Sequence, residues 1–305
     1  MAGDFQHSVL VYDVGGSHVS AAVCAQDGFR LGPIASAGYP VETTAQAFLE
    51  FLFQLGAEAM QGMEGVLGAE LAFPGPFDYA DGISRMEHKL ACLFNVNLRQ
   101  PLAERFGWQP EKVRFLNDAA SYLLGEAGAG AAKGVARCVG ITLGTGIGSA
   151  FAVEGKIVTA GAGVPPGGEI WDLPWEGGIL EDALSTRALQ ASYQRRSGQL
   201  REVCAIAESA ASDPAAAEVF AEFGRHLGVA LRTLLSAFAP QVVVIGGGIA
   251  RAAHLFLPQA QEELAGTQLE LRIAELFDHA PLVGAGVAWF AQEQNSAPLL
   301  STENL

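Results

Sequence analysis

An asparagine–aspartate pair in the first half of the chain has the residue types that proton transfer from a hydroxyl requires. Asn117 and Asp118 stand between a short apolar run and a segment with helical spacing. A positioned carboxylate can accept the proton of an attacking hydroxyl, and an adjacent amide can hold a neighbouring hydroxyl. The same pair is also a common helix N-cap. From the residues alone, the pair is either a cap or a general base beside a substrate ligand.

Three glycine-rich turns, each after an apolar run, have the composition of phosphate-binding turns. They occupy residues 13–17, 143–148 and 246–248. Glycine lets backbone N–H groups approach an anion because no Cβ stands in the way. Asp13, at the end of the first run, can also hold a hydrated Mg²⁺. Each turn alone is compatible with an ordinary connection, and the second does not open a helix as a dinucleotide-binding turn does.

Strands and helices alternate around these turns, which is typical of an α/β fold. Apolar runs predict strands at residues 8–14, 18–24, 66–73, 113–116, 137–143, 147–153 and 241–245. Helical spacing predicts helices at residues 41–60, 98–106, 119–127, 183–195, 201–237 with a break near 212–214, a segment after 248, and 283–294.

The strand, glycine turn and strand of residues 8–24 recur at residues 137–153. Such an internal duplication at the start of each half indicates two related α/β domains with a cleft between them. We assign residues 1–117 to a smaller first domain and residues 118–305 to a larger second domain. We expect the last helix, near residues 284–296, to pack back on the first domain.

The composition of the 305-residue chain excludes several classes of partner. Its formal net charge is −15, whereas nucleic acids and anionic membranes bind basic surfaces. We expect no secretory signal and no membrane span, because the longest uncharged stretch contains a proline and three successive glycines. The 4 cysteines are widely spaced, which predicts buried thiols in a reducing compartment, the cytoplasm.

The three turns together resemble a known set of motifs. D-V-G-G-S-x-x-x-A, L-G-T-G-I-G and V-V-I-G-G-G-I are similar, in order and spacing, to the two phosphate motifs and the adenosine motif of the actin/hexokinase/sugar-kinase superfamily. Within it, the chain resembles the ROK family (repressors, uncharacterised frames and kinases) from about residue 9 to residue 289. The resemblance implies two ribonuclease-H-like (actin-like ATPase) domains, with ATP and sugar meeting in the cleft between them.

The resemblance also implies which residues hold ATP and its metal ion. The expected cofactors are ATP and Mg²⁺, with the metal bound to the Asp13 carboxylate through water. Ser17 stands where threonine is commoner in the family, so a hydroxyl is kept. The implied ATP- and phosphate-binding residues are Asp13, Gly15, Gly16, Ser17, Gly144, Thr145, Gly146, Gly247 and Gly248.

The segment N-D-A resembles the catalytic segment of the ROK family. Asp118 then matches the general base and Asn117 matches a sugar ligand. The family often has a second asparagine two residues after the aspartate, and Ala120 stands there in this chain. The resemblance therefore favours catalysis over a plain helix cap.

Further segments resemble the sugar-binding parts of the family. Glu169 matches the glutamate of a G-E-x-G-H segment, whose glutamate and histidine bind sugar hydroxyls, and Asp172 stands at the histidine position. Glu181 matches the glutamate of G-C-L-E, although an acidic residue there also suits a solvated first helical turn. Gly75 matches a proline–glycine segment on the sugar side.

Many ROK proteins carry a zinc site in the stretch that contains these two glutamates. From Glu169 to Glu181 this chain has neither histidine nor cysteine, the residues that tetrahedral zinc needs. We therefore predict that there is no zinc site. Trp171 and Trp175 in this shorter loop either pack apolar surface in its place or stack on a sugar ring.

Residues and resemblance together favour an ATP-dependent kinase acting on a hydroxyl of a hexose or amino-hexose. A ROK transcriptional regulator would need a DNA-binding domain ahead of the phosphate motif, which begins here at Asp13. Two alternatives stay open. One is a sugar-binding protein that has lost catalysis, because Asp172 and Ala120 depart from the pattern, and the other is a glucokinase that uses polyphosphate. The expected partners are a small-molecule sugar and, as in many relatives, a second copy in a homodimer, with no nucleic acid and no membrane.

Overall fold

The computed structural model describes residues 7–40 and 42–296. The chain divides into two compact units. Residues 1–125 and 281–305 form the first unit, and residues 126–280 form the second.

The predicted boundary between Asn117 and Asp118 differs from this division. The helix that begins at Asp118 keeps its first turns in the first unit. There the Ser121 hydroxyl donates a hydrogen bond to the Pro281 carbonyl at 2.6 Å. A side chain on that helix is therefore fixed to the C-terminal helix, which the first unit also contains.

Strands and helices alternate along the described residues as the apolar patterns predict. The strands are β1 (Ser8–Val14), β2 (His18–Ala25), β3 (Ala35–Gly38), β4 (Val66–Phe73), β5 (Phe77–Asp78), β6 (Ile83–Ser84), β7 (Val113–Asn117), β8 (Arg137–Leu143), β9 (Ile147–Val153), β10 (Lys156–Val158), β11 (Pro174–Trp175), β12 (Gly178–Ile179), β13 (Val242–Gly246) and β14 (Glu270–Ile273). The helices are α1 (Ala45–Ala59), α2 (Arg99–Phe106), α3 (Asp118–Ala129), α4 (Thr186–Ser197), α5 (Val203–Ser209), α6 (Pro214–Leu234), α7 (Leu257–Glu263) and α8 (Ala280–Ser296).

The first unit is built on a five-stranded sheet in the order β3-β2-β1-β4-β7. Strands β1, β2 and β3 form an antiparallel meander, while β1, β4 and β7 run parallel. One apolar cluster joins side chains of the sheet to α1 and α2, among them Phe48, Leu71 and Leu102. A second cluster joins Val9 and Val11 to Trp289 of α8. The sheet is therefore covered by helices on both faces.

Helix α8, the last helix of the described chain, packs within the first unit. Trp289 is fully buried, and the Arg114 guanidinium lies 4.2 Å from the centroid of its ring. Glu293 forms ion pairs with Lys112, in the 3-10 turn before β7, and with Arg114 on β7. Apolar burial and charge pairing both hold the C-terminal helix against this sheet.

The second unit repeats the arrangement of the first. Its five-stranded sheet has the order β10-β9-β8-β13-β14, with an antiparallel meander followed by parallel strands. Helices α4, α5, α6 and α7 contribute to its apolar core, which includes Phe151, Phe220 and Phe256. The internal duplication that the sequence suggests is therefore present in the order and direction of the strands.

One helix and seven short strands differ from the predictions, the strands being β3, β5, β6, β10, β11, β12 and β14. Strands β3, β10 and β14 are short and have too few apolar side chains to be recognised as runs. After the third glycine turn the chain forms a 3-10 helix at Gly248–Leu255, and α7 begins only afterwards. Pro258 in the first turn of α7 favours a new helix start at this point.

Glu70 on β4 is a fully buried carboxyl group in the first unit. Its neighbours across the sheet are Val11 on β1 and Arg114 on β7. Among the described residues, neither of its carboxyl oxygens has a hydrogen-bond partner. Burial raises the pKa of Glu70 from its ordinary 4.5 to about 8, with the charges of Arg114 and Arg99 acting in the opposite direction. The side chain is therefore held mainly as the neutral acid near neutral pH.

The cysteines and the hydropathy of the helices complete the description. All 4 cysteines are free thiols, and Cys24 and Cys138 are buried. Cys92 is half-buried and Cys204 is exposed, so the prediction that all of them are buried is wrong for Cys204, which lies on α5. Within the described ranges, no helix combines the length and the apolar character that crossing a membrane requires.

Candidate active site

Three parallel strands of the first sheet end at the same edge and bring the predicted catalytic residues together. Asp13 near the end of β1 pairs with Ala72 of β4, and Phe73 of β4 pairs with Asn117 of β7. Asp118 follows directly as the first residue of α3. The carboxyl ends of parallel strands are where α/β folds bind ligands. Within the first unit, Asp13 and Asp118 therefore lie at the same edge of the sheet, at the carboxyl ends of its parallel strands.

Asp118 is half-buried at the amino terminus of α3. Its Oδ1 accepts a hydrogen bond from the backbone N–H of Ala119 at 2.8 Å. The positive end of the helix dipole favours a negative charge at this position. The amino terminus of α3 therefore suits a carboxylate side chain.

Asn117 caps the same helix, as the sequence alternative suggested. Its Oδ1 accepts a hydrogen bond from the backbone N–H of Ala120 at 3.0 Å. Its Nδ2 donates to the hydroxyl of Tyr79 at 3.3 Å, and that hydroxyl donates to the carbonyl of Phe73 at 3.0 Å. Cap and catalytic residue are thus compatible, because the amide fixes the helix start from which the Asp118 side chain projects.

Tyr79 is a residue of this site that the sequence reasoning missed. A Cβ added to Gly75 would lie 3.6 Å from its hydroxyl, so Gly75 and Asn117 both border the same phenol. The only local signal is an aromatic residue shortly after the proline–glycine segment. The hydrogen bonds of Tyr79 depend on the pairing of β4 with β7, which sequence periodicity does not reveal.

The first glycine turn is braced by another missed aromatic residue. Gly15 donates its N–H to the carbonyl of His18 at 2.8 Å, and Tyr39 donates its hydroxyl to the carbonyl of Gly15 at 2.8 Å. Burial, followed by the charge of Cys92, raises the pKa of Tyr39 to about 12, so the hydroxyl keeps its proton and remains a donor. Gly16 and Ser17 at the tip are exposed. The turn is fixed at its base and open at its tip.

The second and third glycine turns are neighbours at the edge of the second sheet. Strand β13 pairs with β8, with Gly246 opposite Thr142. Gly247 has a φ of +82°, and a Cβ at this position would lie 2.3 Å from the carbonyl oxygen of Leu143. Only glycine allows this approach. The two turns, which are a hundred residues apart in sequence, are therefore packed together.

Thr186 anchors the second turn to the start of α4. Its backbone N–H and its hydroxyl both donate to the carbonyl of Gly144, at 2.8 and 2.9 Å. Gly144 in turn donates its N–H to the carbonyl of Gly146 at 3.0 Å. Thr145 at the tip of the turn is exposed. The sequence reasoning did not single out Thr186, since a threonine at the first position of a helix carries no specific signal.

A mostly apolar cavity of about 850 Å³ opens beside these two turns in the second unit. Gly144 and Gly248 line it, which brings together two of the predicted ATP-binding glycines. Cavities of this size bind drug-sized ligands. The other residues that line the cavity are Thr186, Glu202, Val203, Cys204, Ala207, Glu208, Ala210, Ala211, Ile249, Arg251, Ala252, His254 and Leu255.

Arg251 is the positive side chain of this cavity. It forms an ion pair with Asp278 at 2.6 Å and lies over the ring of Phe277. Both contacts hold the guanidinium in one place although it is exposed. The cavity thus combines an apolar floor with one fixed cation and the carboxylates of Glu202 and Glu208.

Glu181 connects the predicted sugar-binding segment to the second glycine turn. Its Oε2 accepts a hydrogen bond from the backbone N–H of Ile147 at 3.1 Å. A Cβ added to Gly146 would lie 2.3 Å from the same oxygen. Glu181 lies in a 3-10 helix, Leu180–Asp182. One of its oxygens is therefore used inside the second unit, where it lies directly beside Gly146.

Glu169 lies on a segment that is fixed by the buried side chain of Ser149. The Ser149 hydroxyl donates to the carbonyl of Gly168 at 2.7 Å and accepts from the N–H of Ile170 at 3.1 Å. Glu169 itself is exposed, and its Oε2 accepts a hydrogen bond from Nε1 of Trp171 at 2.9 Å. An exposed carboxylate on a pinned backbone has the character of a ligand-binding group.

Comparison with known proteins assigns the family. The model of the ROK family matches residues 9–293. The chain belongs to the ROK family. It is 27% identical to a glucokinase of Thermotoga maritima, with 83% of this chain and 85% of that protein aligned. It is 26% identical to the N-acetylgalactosamine kinase AgaK of Shewanella sp. strain ANA-3, over 92% of this chain and 98% of that protein.

A solved structure supports the same assignment. The ROK hexokinase of Thermus thermophilus superposes with a TM-score of 0.78 at 28% identity, and 94% of this chain and 99% of that chain are covered. The predicted family and the predicted actin-like α/β fold with two sheet-and-helix units are therefore confirmed.

Two positions in the loop of this ROK protein have different environments. Trp175 packs against the apolar core of the second unit, in agreement with loop packing. Trp171 is 39% exposed, so the packing interpretation does not hold for this side chain. Asp172 is also exposed and makes no hydrogen bond to a described residue.

No three histidine, cysteine, aspartate or glutamate side chains of the described residues are grouped in a way that could hold a metal ion. Mg²⁺ in phosphoryl-transfer sites is usually bound by one or two carboxylates together with water and phosphate oxygens. The Asp13 carboxylate at the edge of the first sheet is a donor of this kind. The residues of this ROK protein therefore fit a magnesium ion that arrives with a phosphate ligand.

Proposed function

We propose that this chain transfers the γ-phosphoryl group of ATP to a hydroxyl of a hexose or amino-hexose, with Asp118 as the general base. That the chain is a sugar kinase follows from its membership of the ROK family and from relatives that are kinases of glucose and of N-acetylgalactosamine. The observation that carries the finer proposal is the location of Asp118 at the amino terminus of α3, on the same sheet edge as Asp13.

The reaction requires one proton acceptor and a fixed geometry. The sugar oxygen forms a bond to the γ-phosphorus while the bond from that phosphorus to the bridging oxygen of ADP breaks. The hydroxyl proton moves to a carboxylate oxygen of Asp118. Because Asn117 caps α3 through Ala120, the base has a fixed starting position. Most of the acceleration then comes from positioning and from stabilisation of the phosphoryl charge.

Several side chains are assigned to the sugar. We propose Asn117, Glu169, Glu181, Asp172 and backbone at Gly75 as its ligands. The hydrogen bonds described above leave Nδ2 of Asn117 and Oε1 of Glu169 as the more available atoms, because Oδ1 of Asn117 caps a helix and Oε2 of Glu169 accepts from Trp171. An incorrect sugar would cover one of these side chains without offering it a hydroxyl as partner, and the unpaired polar group would lower the affinity for that sugar strongly.

The cavity beside the second and third turns supports a nucleotide donor. Its apolar floor suits an adenine base, and Gly144 and Gly248 border it. Its wall also contains the carboxylates of Glu202 and Glu208, which would repel a long polyphosphate chain. We therefore assign Gly144, Thr145, Gly146, Gly247 and Gly248 to ATP.

The first turn completes the donor site in this proposal. Gly15, Gly16 and Ser17 would bind phosphate oxygens through backbone N–H groups and the serine hydroxyl, since the tip of the turn is exposed. Asp13 would hold Mg²⁺ through water. A bound Mg²⁺ supplies positive charge that offsets the charge of the phosphate oxygens.

The test is a screen for sugar-stimulated ADP release across hexoses, N-acetylhexosamines and their epimers, with Asp118→Asn as the matched control. We expect at least one sugar to stimulate release in the wild-type protein and none in the variant. ATP and polyphosphate of equal phosphate concentration are compared as donors with the best sugar. Sugar binding without any stimulated release would instead indicate a sugar-binding protein without catalysis, and a preference for polyphosphate would overturn the donor assignment.

A further inference from the structure

Trp171 is the residue through which two of the acidic sugar ligands of the proposed function, Glu169 and Glu181, are connected. Its indole Nε1 donates to Oε2 of Glu169 at 2.9 Å. Its backbone carbonyl accepts a hydrogen bond from the N–H of Glu181 at 3.0 Å. One residue therefore orients the carboxylate of Glu169 and fixes the backbone position of Glu181.

The indole N–H occupies one acceptor site on Oε2 of Glu169 and leaves Oε1 as the less engaged oxygen. A carboxylate can accept hydrogen bonds on both oxygens, and bidentate acceptance of two neighbouring hydroxyls is then available. Here Oε2 is engaged by Trp171, whereas Oε1 makes no hydrogen bond to a described residue. Ser149 also holds the backbone on both sides of Glu169, which fixes the point from which this side chain extends.

The ring of Trp171 lies next to this carboxylate and is not part of the apolar core. It is 39% exposed, whereas Trp289 is 0% exposed and Trp175 packs against the apolar core. An exposed indole whose N–H is already engaged presents an apolar face. The C–H faces of sugar rings are apolar surfaces of matching size, and aromatic rings are suited to pack against them.

We infer that Trp171 determines the sugar specificity of this site: it directs Oε1 of Glu169 to one hydroxyl, and its ring packs against the C–H face of the same sugar. This inference rests on the proposed function. The indole N–H positions the carboxylate of Glu169 and the indole ring contacts the sugar, so substitutions can separate the two roles.

Two substitutions separate these roles. Trp171→Phe keeps a ring and removes the N–H, and Trp171→Ala removes both. Trp175→Phe is the matched control, because its Nε1 has no hydrogen-bond partner among the described residues and its ring packs against the core. For Trp171→Phe we expect the sugar KM to rise roughly threefold to tenfold, which is the effect of one lost hydrogen bond. The kcat and the KM for ATP stay near wild type.

The ratio of kcat/KM between two epimers that differ at a single hydroxyl gives a sharper readout. In Trp171→Phe, Oε2 of Glu169 becomes available, and we expect this ratio to shrink toward one. In a Glu169→Ala background the same substitution should change neither KM nor the ratio, since the acceptor is gone. Trp171→Ala should raise the sugar KM further than Trp171→Phe.

A Trp171→Phe protein with wild-type sugar KM and epimer ratio would overturn the inference. So would equal effects in Trp171→Phe and Trp175→Phe, or the same effect of Trp171→Phe with and without Glu169. A wild-type protein that phosphorylates no sugar would contradict the proposed function itself, and that result comes from the screen before any variant is made. Thermal unfolding midpoints of all variants check that the substitutions leave the fold intact.

Discussion

Glu181 and Ile147 are joined by a hydrogen bond of 3.1 Å from the Ile147 backbone N–H to the Glu181 carboxylate. Ile147 begins β9 immediately after the second glycine turn. The carboxylate therefore supports a turn assigned to ATP, while the same side chain is assigned to the sugar. A residue proposed for one substrate is thus coupled to the binding turn of the other.

Substitution of Glu181 should affect both substrates for this reason. We expect Glu181→Ala to raise the KM for ATP and the KM for sugar, each by roughly tenfold, since a hydrogen bond to a charged group is lost together with a sugar ligand. Asp182→Asn is the neighbouring control, because Asp182 is exposed. Steady-state kinetics with each substrate varied in turn measure the effect. An unchanged KM for ATP would refute the coupling.

Asp118→Asn should separate binding from chemistry. An amide of the same shape cannot accept the proton, so we expect kcat to fall by roughly 10²- to 10⁴-fold. The cap provided by Asn117 is untouched, so folding and substrate affinity are retained. Calorimetric titration of sugar and nucleotide checks binding, and Asp27→Asn, at an exposed position of the same unit, is the control. Near-normal turnover would remove Asp118 from the mechanism.

The adjacent glycines of the third turn should respond differently to alanine. Gly247→Ala adds a Cβ 2.3 Å from the Leu143 carbonyl oxygen at a φ of +82°, which we expect to cost about 2 kcal/mol or more. A Cβ at Gly248 meets no atom within 4 Å, so Gly248→Ala should fold normally. Because Gly248 lines the cavity, its substitution should instead raise the KM for ATP. Urea unfolding and kinetics together distinguish the two, and equal stability of both variants would contradict the packing argument.

Glu70 should make stability depend on pH. The pKa of its folded form is raised to about 8 from 4.5, so the folded state keeps a proton that the unfolded state releases between these values. The free energy of unfolding therefore falls as pH rises from about 5 to about 8, by at most about 1.4 kcal/mol for each pH unit. Glu70→Gln, which cannot ionise, should remove this fall and gain stability over wild type at pH 8.

Urea midpoints at pH 5, 6.5 and 8 measure the difference between wild type and Glu70→Gln. Glu50→Gln, the same change at an exposed position of α1, is the control and should show a constant difference. If the gap between wild type and Glu70→Gln did not widen with pH, the carboxyl would not be held as the neutral acid in the folded state.

The central strands and the glycine turns could be predicted from sequence because their signals are local. Strands β1, β4, β8 and β9 have the predicted bounds, since each is an apolar run and the first three are followed directly by glycine or proline. Edge strands such as β3 and β14 pair on one side only and need few apolar residues, so their presence depends on the neighbouring strand.

The supporting side chains of the site could not be predicted in the same way. Tyr39 and Thr186 each donate to a backbone carbonyl that is distant in sequence, at separations of 24 and 42 residues. Tyr79 donates to a carbonyl only 6 residues away, but its hydroxyl also accepts from Asn117, which is 38 residues away. Tyrosine and threonine occur throughout soluble proteins, and nothing in their local sequence identifies the carbonyl that they meet. Tertiary placement decides these bonds, whereas the roles proposed for Asp118 and the glycines rest on motif order and stay predictions.

The exposed thiol of Cys204 allows chemical labelling of the cavity that we propose for ATP. Burial raises the pKa of Cys24 to about 12 and that of Cys138 to about 11, so both react slowly with alkylating reagents. Cys204 lines the cavity and is exposed, and we expect a maleimide to modify it first. Bound ATP should slow that modification, with Cys204→Ser as the unlabelled control. Donor occupancy can thus be followed by mass spectrometry even in a variant that cannot phosphorylate sugar.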